Sequence, residues 1–239
     1  MRYLSTILGQ ASGSLASMTF SRNRYGNVMR AKVNPVNPNS LLQVAIRAIF
    51  RAVSHAWTTI SPAARSTWKT YADAVSVPDK KMGGRINLTA NAMYTRSWVT
   101  AQQFGAKVDE GLVVACSAAP IDLSLPSFTP PTITAPATAS AISLSINILD
   151  AWNTAASGGL IIQSAPHVSP GTNFFRGPYT TIGAIPTGAV VTTLVGTGRT
   201  NGPKGAKLPV RITCVTQADA THGPRVSEAY ETLVTVGPP

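Results

Sequence analysis

The side chains best able to do chemistry near the start of this chain are basic. Residues 1–72 contain nine Lys or Arg and no Asp or Glu, and the first acid is Asp73. Cationic groups without acidic neighbours attract anions, whether phosphates of a nucleic acid or carboxylates of a protein. The pattern therefore indicates that this stretch binds an anionic polymer, an acidic protein surface, or both.

The sequence contains few groups of residues that could form a catalytic site. A catalytic site needs a nucleophile with a base, a pair of carboxylates, or a metal cluster. The three histidines, His55, His167 and His222, are far apart in unlike contexts, and the chain has only nine acids. The two cysteines, Cys116 and Cys214, have no second pair of ligands near them for zinc. We expect no enzymatic activity, no metal and no cofactor.

The positive charge is concentrated in the first half of the chain. Residues 1–110 carry fourteen Lys or Arg against four acids, and residues 111–239 carry six against five, so net charges of +10 and +1 make up the total of +11. Such asymmetry is typical of a segment that faces nucleic acid or a membrane, or of a basic arm that binds a partner. No stretch of 18 apolar residues is present, so we expect no membrane span.

The composition is poor in charge. Only 12% of the residues are charged and 44% are hydrophobic, whereas an average soluble domain has roughly 25% charged residues. A surface with few charges suits a protein packed against neighbours better than a free monomer. The alternative is a β domain rich in Ser and Thr, whose hydroxyls supply the solubility.

Residues 1–39 are predicted to form a basic extended arm with a β-hairpin. Apolar and basic residues partly alternate through residues 11–33, and Tyr25-Gly26 marks the turn. The alternation is expected to place four candidate anchoring residues largely on one side: Arg22, Arg24, Arg30 and Lys32. The alternative is a solvated face whose basic residues block unwanted strand pairing.

Residues 40–110 are predicted to form a module of three helices. The first begins after two X-Pro steps, which keep the chain extended. The second begins at Ser61-Pro62, an N-cap followed by proline. The third covers about residues 88–104 and is expected to end at Gly105, a suitable C-cap.

The first helix carries the other two candidate anchoring residues, Arg47 and Arg51. They recur at four-residue steps with Gln43 and His55, and no acid lies within a turn of them. An ordinary solvated helix face pairs such arginines with Glu or Asp, so we expect their partner outside this segment. Another face carries the predicted buried stripe: Leu42, Ile46, Ile49, Val53, Trp57 and Ile60.

The second half of the chain is predicted to be a β domain behind a linker. Residues 111–136 read as the proline-rich linker, and residues 137–239 contain short β-rich runs separated by Gly and Pro. About seven strands are expected, including weak ones near Ile133 and Phe174. These features predict an antiparallel β-sandwich of the immunoglobulin or fibronectin type III kind. The whole chain is thus predicted to be α+β and multidomain.

A pattern of glycine, basic and aromatic residues runs through the N-terminal half. It consists of residues 21–30 and 37–40, Gln43, Arg47, Phe50, Trp57, Ser61, Pro62, Arg65 and Trp68. This pattern resembles a loosely defined group of phage and prophage-like structural proteins. Such proteins look like a basic hairpin and helix module joined to an immunoglobulin-like C-terminal domain. Residues 159–164 and 168–171 are similar to the middle strand and loop of those domains.

The resemblance implies a virion component. We therefore expect a non-enzymatic structural protein of a bacteriophage particle, either an accessory capsid protein or a connector or tail component. It would be assembled in the host cytoplasm, anchored by its basic half and packed against other virion proteins.

Two other functions stay open. The first is sequence-independent binding of the packaged genome, because a basic surface releases counterions from DNA or RNA. The second is carbohydrate binding by the β-sandwich, with four aromatic residues as candidates for exposure: Trp152, Phe174, Phe175 and Tyr179.

Overall fold

The chain is α+β, with three α-helices and mostly antiparallel strands among the residues that the structure describes. It separates into two compact units, an arm unit (Met1–Ala45) and a main unit (Ile46–Pro239). The predicted division into residues 1–39, 40–110, 111–136 and 137–239 stays a prediction. The structure is a computed structural model, and it describes residues 13–23, 26–32, 37–79, 83–108, 118–136, 141–155, 157–188, 192–196, 205–219 and 221–237.

The arm unit contains a small antiparallel sheet. Its strands are β1 (Gly13–Leu15), β2 (Met18–Asn23) and β3 (Gly26–Ala31), and they lie in the order β1-β2-β3. The predicted hairpin is therefore present as β2 and β3. The backbone N–H of Lys32 donates to the carbonyl of Ser17 at 2.7 Å, which closes the open end of the hairpin.

The register of the hairpin separates two of its basic positions. Arg22 lies opposite Asn27, and Arg30 lies opposite Thr19. Opposite residues share a face, and successive residues of a strand alternate between faces. The pairing couples even-numbered residues of β2 to odd-numbered residues of β3, so positions 22 and 30 lie on opposite faces. The prediction that the basic residues lie largely on one side is wrong for this pair.

Hydroxyl caps set where the helices begin. The first helix, α1 (Leu41–Thr59), begins after Ser40, whose Oγ accepts the backbone N–H of Gln43 at 3.4 Å. The second, α2 (Pro62–Ala74), has the predicted cap: Ser61 Oγ accepts the N–H of Ala64 at 3.2 Å. Each cap satisfies a backbone donor that has no partner within the helix.

The third helix, α3 (Ala90–Val108), runs three residues beyond Gly105. The prediction that it ends at Gly105 is wrong. A glycine inside a helix costs about 1 kcal/mol relative to alanine. The adjacent turn offsets that cost by packing, because Ala101 and Phe104 are buried against Ile161 and Val215.

Aromatic rings form the core between the helices. Tyr94 of α3 lies 5.2 Å from Trp68 of α2 and 5.1 Å from Trp57 of α1, measured between ring centroids. Val53 of the predicted stripe is buried, and Ile49, Trp57 and Ile60 are partly buried against the same core. The segment predicted as a linker also contributes, since Ala119 packs into this core.

A two-stranded hairpin of β4 (Ser76–Pro78) and β5 (Arg85–Asn87) lies between α2 and α3, and the larger sheet follows α3. The strands of the larger sheet are β6 (Thr132–Pro136), β7 (Ala141–Ser145), β8 (Ser157–Ser164), β9 (Thr180–Pro186), β10 (Thr192–Gly196), β11 (Lys207–Gln217), β12 (Arg225–Val226) and β13 (Tyr230–Gly237). Its path is β10-β7-β6-β13-β11-β8-β9, with β12 paired to β11. All pairings are antiparallel except that of β6 with β13. The end strands β9 and β10 approach one another, so the sheet curls into a half-barrel.

The sheet buries one face in an apolar core and packs part of the other against α3. Inward residues such as Leu144, Ile162 and Ile212 are fully buried. On the outer face, Ile161 and Val215 meet α3. The weak strand predicted near Phe174 is not a strand; β9 follows that residue instead.

Candidate functional site

The predicted anchoring residues of the arm unit are only partly described. Arg30 and Lys32 are exposed, and neither takes part in the ion pairs found among the described residues. For Arg22 the structure gives the backbone position alone, and Arg24 lies outside the described residues. The arm unit thus presents two exposed cations that no described acid neutralises.

The other predicted anchoring residues lie on an exposed face of α1, which we call the α1 surface: Arg47, Phe50 and Arg51. All three are exposed, with 45% of the Phe50 surface accessible. Residues three and four apart are neighbours on a helix. Phe50 therefore lies beside Arg47, and Arg51 lies one turn after Arg47. The helix contains no acidic residue. The α1 surface therefore combines positive charge with an exposed aromatic ring.

An apolar groove runs between α1 and α3. It encloses a cavity of about 420 Å³. One residue step turns an α-helix by about 100°, so its α1 residues Ala48 and Ala52 lie beside Arg47 and Arg51 of the α1 surface. The groove is lined by Ala48, Ile49, Ala52, Val53, Ala56, Tyr94, Trp98 and Gln102.

A second cavity, the polar pocket, lies between α3 and the outer face of the larger sheet. Its volume is about 320 Å³. Two arginines line it, Arg96 of α3 and Arg211 of β11, together with hydroxyl and amide side chains. The polar residues of the lining are Arg96, Thr100, Gln103, Gln163, Arg211, Thr213, Ser227 and Glu228.

Arg96 is held in the polar pocket by backbone carbonyls. Its Nη1 donates to the carbonyl of Val226 at 2.9 Å and its Nη2 to that of Ser227 at 2.7 Å. Burial lowers the pKa of this guanidinium, and the nearby Glu228 partly opposes that effect. An arginine has five N–H donors, so three donors of Arg96 have no acceptor among the described residues.

Arg211 is positioned by residues of the two neighbouring strands and by Tyr179. In the sheet register it lies between Glu231 of β13 and Gln163 of β8. Its Nη2 forms an ion pair with Glu231 Oε1 at 2.9 Å, and the guanidinium lies 5.1 Å from the centroid of the Tyr179 ring. The Nε atom of Arg211 is buried and has no hydrogen-bond partner among the described residues. Buried donors normally have a partner, so this one marks a place for an acceptor.

The charges around the polar pocket do not balance. Glu228 pairs with Arg85 at 2.6 Å, and Glu231 pairs with Arg211. Arg96 is bound only to neutral carbonyls among the described residues. In the part of the chain that the structure describes, these three guanidinium groups and two carboxylates leave one net positive charge, so the polar pocket favours a single negative charge.

His222 lies in a turn with Asp219 and Thr221, and the Thr221 Oγ1 is 2.9 Å from His222 Nδ1. His222 Nδ1 lies 2.9 Å from Asp219 Oδ2, and the Asp219 carboxylate also accepts from Thr221 Oγ1 and the backbone N–H groups of Thr221 and His222. These contacts close a turn, a common use of aspartate. Within the described residues, no group of three or more His, Cys, Asp or Glu could hold a metal ion.

Sequence reasoning did not find Arg96 or Arg211. Arg96 stands among the inward-facing residues Met93, Ser97 and Ala101 of α3, an unusual place for an arginine, and this signal was available. Arg211 occupies an outward position of an alternating strand, where a basic residue is ordinary. Nothing in the sequence shows that these positions, more than a hundred residues apart, line one cavity.

The aromatic residues proposed for carbohydrate binding have different environments. Trp152 is buried with 1% of its surface accessible, and its Nε1 donates to Asp150 Oδ2 at 3.2 Å. The expectation that Trp152 is exposed is therefore wrong. Phe174 is exposed, while Phe175 and Tyr179 pack edge to face at 5.4 Å.

Comparison with family models, curated proteins and solved structures found no significant match to this chain. Among the described residues, no helix combines the length and the apolar character needed to cross a membrane.

Proposed function

We propose that the chain is a non-enzymatic structural component of a bacteriophage particle, an accessory capsid, connector or tail protein, anchored by its basic N-terminal half. The observation that carries this proposal is the α1 surface, where the exposed ring of Phe50 lies beside exposed Arg47, and Arg51 is exposed one turn after Arg47. Arginine and aromatic residues are enriched at the centres of protein interfaces. The partners are other virion proteins, contacted after synthesis in the host cytoplasm.

The groove beside the α1 surface supports a protein partner. A nucleic-acid backbone binds to cationic side chains, and a cavity of about 420 Å³ with an apolar lining contributes nothing to that binding. A neighbouring subunit can place an apolar side chain there and an acid against Arg51. Burial of that apolar surface contributes roughly 25 cal/mol per Å² before the costs of association.

We infer that the larger sheet is a sandwich of the immunoglobulin or fibronectin type III kind, as the second part of a multidomain chain. Its path divides into a run of three strands, β10-β7-β6, and a run of four, β13-β11-β8-β9. The runs are joined by a short parallel pairing of β6 with β13. Both contribute to one apolar core, for example through Leu144 and Ile212. A crystal structure with two packed sheets would support this assignment, and one with a single open sheet would contradict it.

The test of the proposed function is whether the chain is part of purified particles. Particles are induced from the bacterium that carries the gene, separated on a density gradient and analysed by quantitative mass spectrometry. The variant is Arg47→Glu with Arg51→Glu, and the control is Arg176→Glu, an exposed arginine of the main unit.

The wild-type chain and the control are expected in particles at a fixed ratio to the other proteins. The double variant should be depleted by about tenfold or more, since reversing charges at an interface costs several kcal/mol. Absence of the wild-type chain from the particles would overturn the proposal.

The second candidate is sequence-independent binding of the packaged genome. It is favoured by Arg30, Lys32 and Arg51, which are exposed and have no acidic partner among the described residues. Binding of the full chain to duplex DNA is measured by fluorescence anisotropy over a range of salt concentrations. Under this candidate, binding persists at about 0.15 M salt, and each lost phosphate contact lowers the salt slope by about one. No binding at that salt concentration would exclude it.

A further inference from the structure

We propose that the polar pocket binds a single carboxylate group, from a small organic acid or from an Asp or Glu side chain of a partner protein. This inference concerns the main unit alone and does not depend on a role in a phage particle.

The first support is an unsatisfied, buried donor on Arg211, a residue that lines the pocket. Arg211 Nε is buried and has no hydrogen-bond partner among the described residues, while Nη2 of the same guanidinium is fixed on Glu231. The ring of Tyr179 lies 5.1 Å away and limits the rotation of the guanidinium. An oxyanion in the pocket would give the Nε–H the acceptor that the protein does not provide.

The second support is the net charge. Among the described residues, Arg85 pairs with Glu228 and Arg211 with Glu231, so the three guanidinium groups, with that of Arg96, exceed the carboxylates by one. A monoanion brings the group to neutrality. A phosphate dianion would leave an excess negative charge beside two carboxylates, so the balance favours a carboxylate.

The third support is the neutral part of the lining. Gln103 and Thr213 line the pocket, and neither side chain makes a hydrogen bond within the described residues. An amide N–H and a hydroxyl can both donate to a carboxylate oxygen. The cavity of about 320 Å³ holds a group of this size with room for the chain that carries it.

The test is titration of the full chain by nuclear magnetic resonance, observing the Arg Nε–H signals. The Arg211 signal is identified by its loss in Arg211→Lys. The probes are sodium acetate, N-acetylglutamate N-methylamide and inorganic phosphate, all at one ionic strength. Acetate represents a free small acid, and the blocked glutamate represents a protein side chain.

The expected result is a saturable shift of the Arg211 Nε–H signal with acetate, and weaker binding of phosphate. Binding of the blocked glutamate as well assigns the site to a protein side chain, and binding of acetate alone assigns it to a small acid. The proposal would be overturned if neither acetate nor the blocked glutamate gave a saturable shift, or if phosphate bound more tightly than acetate.

Variants separate binding at the polar pocket from binding elsewhere. Gln103→Glu keeps the size of the side chain and adds a negative charge to the lining, so acetate should bind at least about tenfold more weakly. Arg176→Gln, an exposed arginine outside the lining, should bind acetate like the wild type. Unchanged affinity in Gln103→Glu would contradict the proposal, whatever Arg96 or Arg211 variants do to folding.

Discussion

Gly223 lies directly against the indole of Trp68, and a β-carbon at position 223 would stand 2.6 Å from Trp68 Cζ2. Trp68 is completely buried in the core of the helices, whereas Gly223 belongs to the loop between β11 and β12. The N–H of Gly223 also donates to the carbonyl of Ala118 at 2.9 Å. This loop of the sheet is thus packed onto the helical core with no space for a side chain.

Gly223→Ala should destabilise the main unit. The new methyl group collides with a rigid indole, and overpacking of this kind costs about 1–3 kcal/mol. The measurement is the free energy of unfolding from urea denaturation. Gly171→Ala is the matched control, because a β-carbon there would meet no atom within 4 Å. Equal stability of the two variants would show that the loop does not rest on Trp68.

Arg96→Gln should also lower the stability of the main unit. The guanidinium donates to the carbonyls of Val226 and Ser227, and a shorter amide cannot reach both. Removing hydrogen bonds from a charged donor costs about 1.5–3 kcal/mol. Urea unfolding measures the loss, and Arg51→Gln, on an exposed face, should stay within about 0.5 kcal/mol of the wild type. If Arg96→Gln kept the wild-type free energy of unfolding and Arg51→Gln lost stability, the result would contradict the described contacts of Arg96.

Asp219→Asn should weaken the protein most at neutral pH. Hydrogen bonds from the Thr221 hydroxyl and then from His222 hold the pKa of the Asp219 carboxyl well below its usual 3.8. A lowered pKa in the folded state means that the stabilisation is present above the unfolded value and is lost as the pH falls through the folded value.

The measurement for Asp219→Asn is urea unfolding at several pH values. The difference from the wild type should shrink as the pH falls below 3.8. Asp73→Asn is the control, since the Asp73 carboxylate is exposed and accepts no hydrogen bond in the described contacts. A difference that is constant with pH would show that the Asp219 carboxylate is not the cause.

Local signals explain what the sequence predicted correctly. Ser61 and Pro62 begin α2 as expected, because capping depends only on residues within one turn. Of the stripe predicted from helical spacing on α1, Val53 is buried and Ile49, Trp57 and Ile60 are partly buried. Such features need no knowledge of the rest of the fold.

Features that depend on distant contacts were missed. Gly105 predicts the end of α3, because glycine often follows the last residue of a helix. The helix continues past it, and Phe104 in the same turn packs on the sheet, which the local sequence does not reveal. The faces of Arg22 and Arg30 depend on the length of the turn, since one residue more or fewer exchanges the two sides. The polar pocket joins Arg96 to Arg211 through the packing of α3 on the sheet, which no local pattern encodes.

The thiol of Cys214 should be unreactive in the folded protein. Burial raises its pKa from 9.0 to about 12, so the thiolate population at mildly alkaline pH falls by a factor on the order of a thousand. Because the folded pKa is the higher one, the stabilisation is complete below pH 9 and is lost as the pH rises towards 12. Cys116→Ser leaves Cys214 as the single cysteine, and iodoacetamide labelling measures its reactivity. Labelling should be slow until urea unfolds the chain, and rapid labelling of folded protein would contradict the burial.

Phe50 and Val53 lie three residues apart on α1 and should respond differently to truncation. Phe50 is 45% exposed, whereas Val53 is 6% exposed and belongs to the core of the helices. Val53→Ala should lower the free energy of unfolding by roughly 2 kcal/mol, because it leaves a cavity. Phe50→Ser should change it by no more than about 0.5 kcal/mol, yet it should reduce incorporation into particles, because it removes the aromatic ring of the α1 surface. Urea unfolding and the particle assay together test this. If Phe50→Ser lowers the free energy of unfolding as much as Val53→Ala does, the ring stabilises the fold. That result would contradict the assignment of the α1 surface as an anchor.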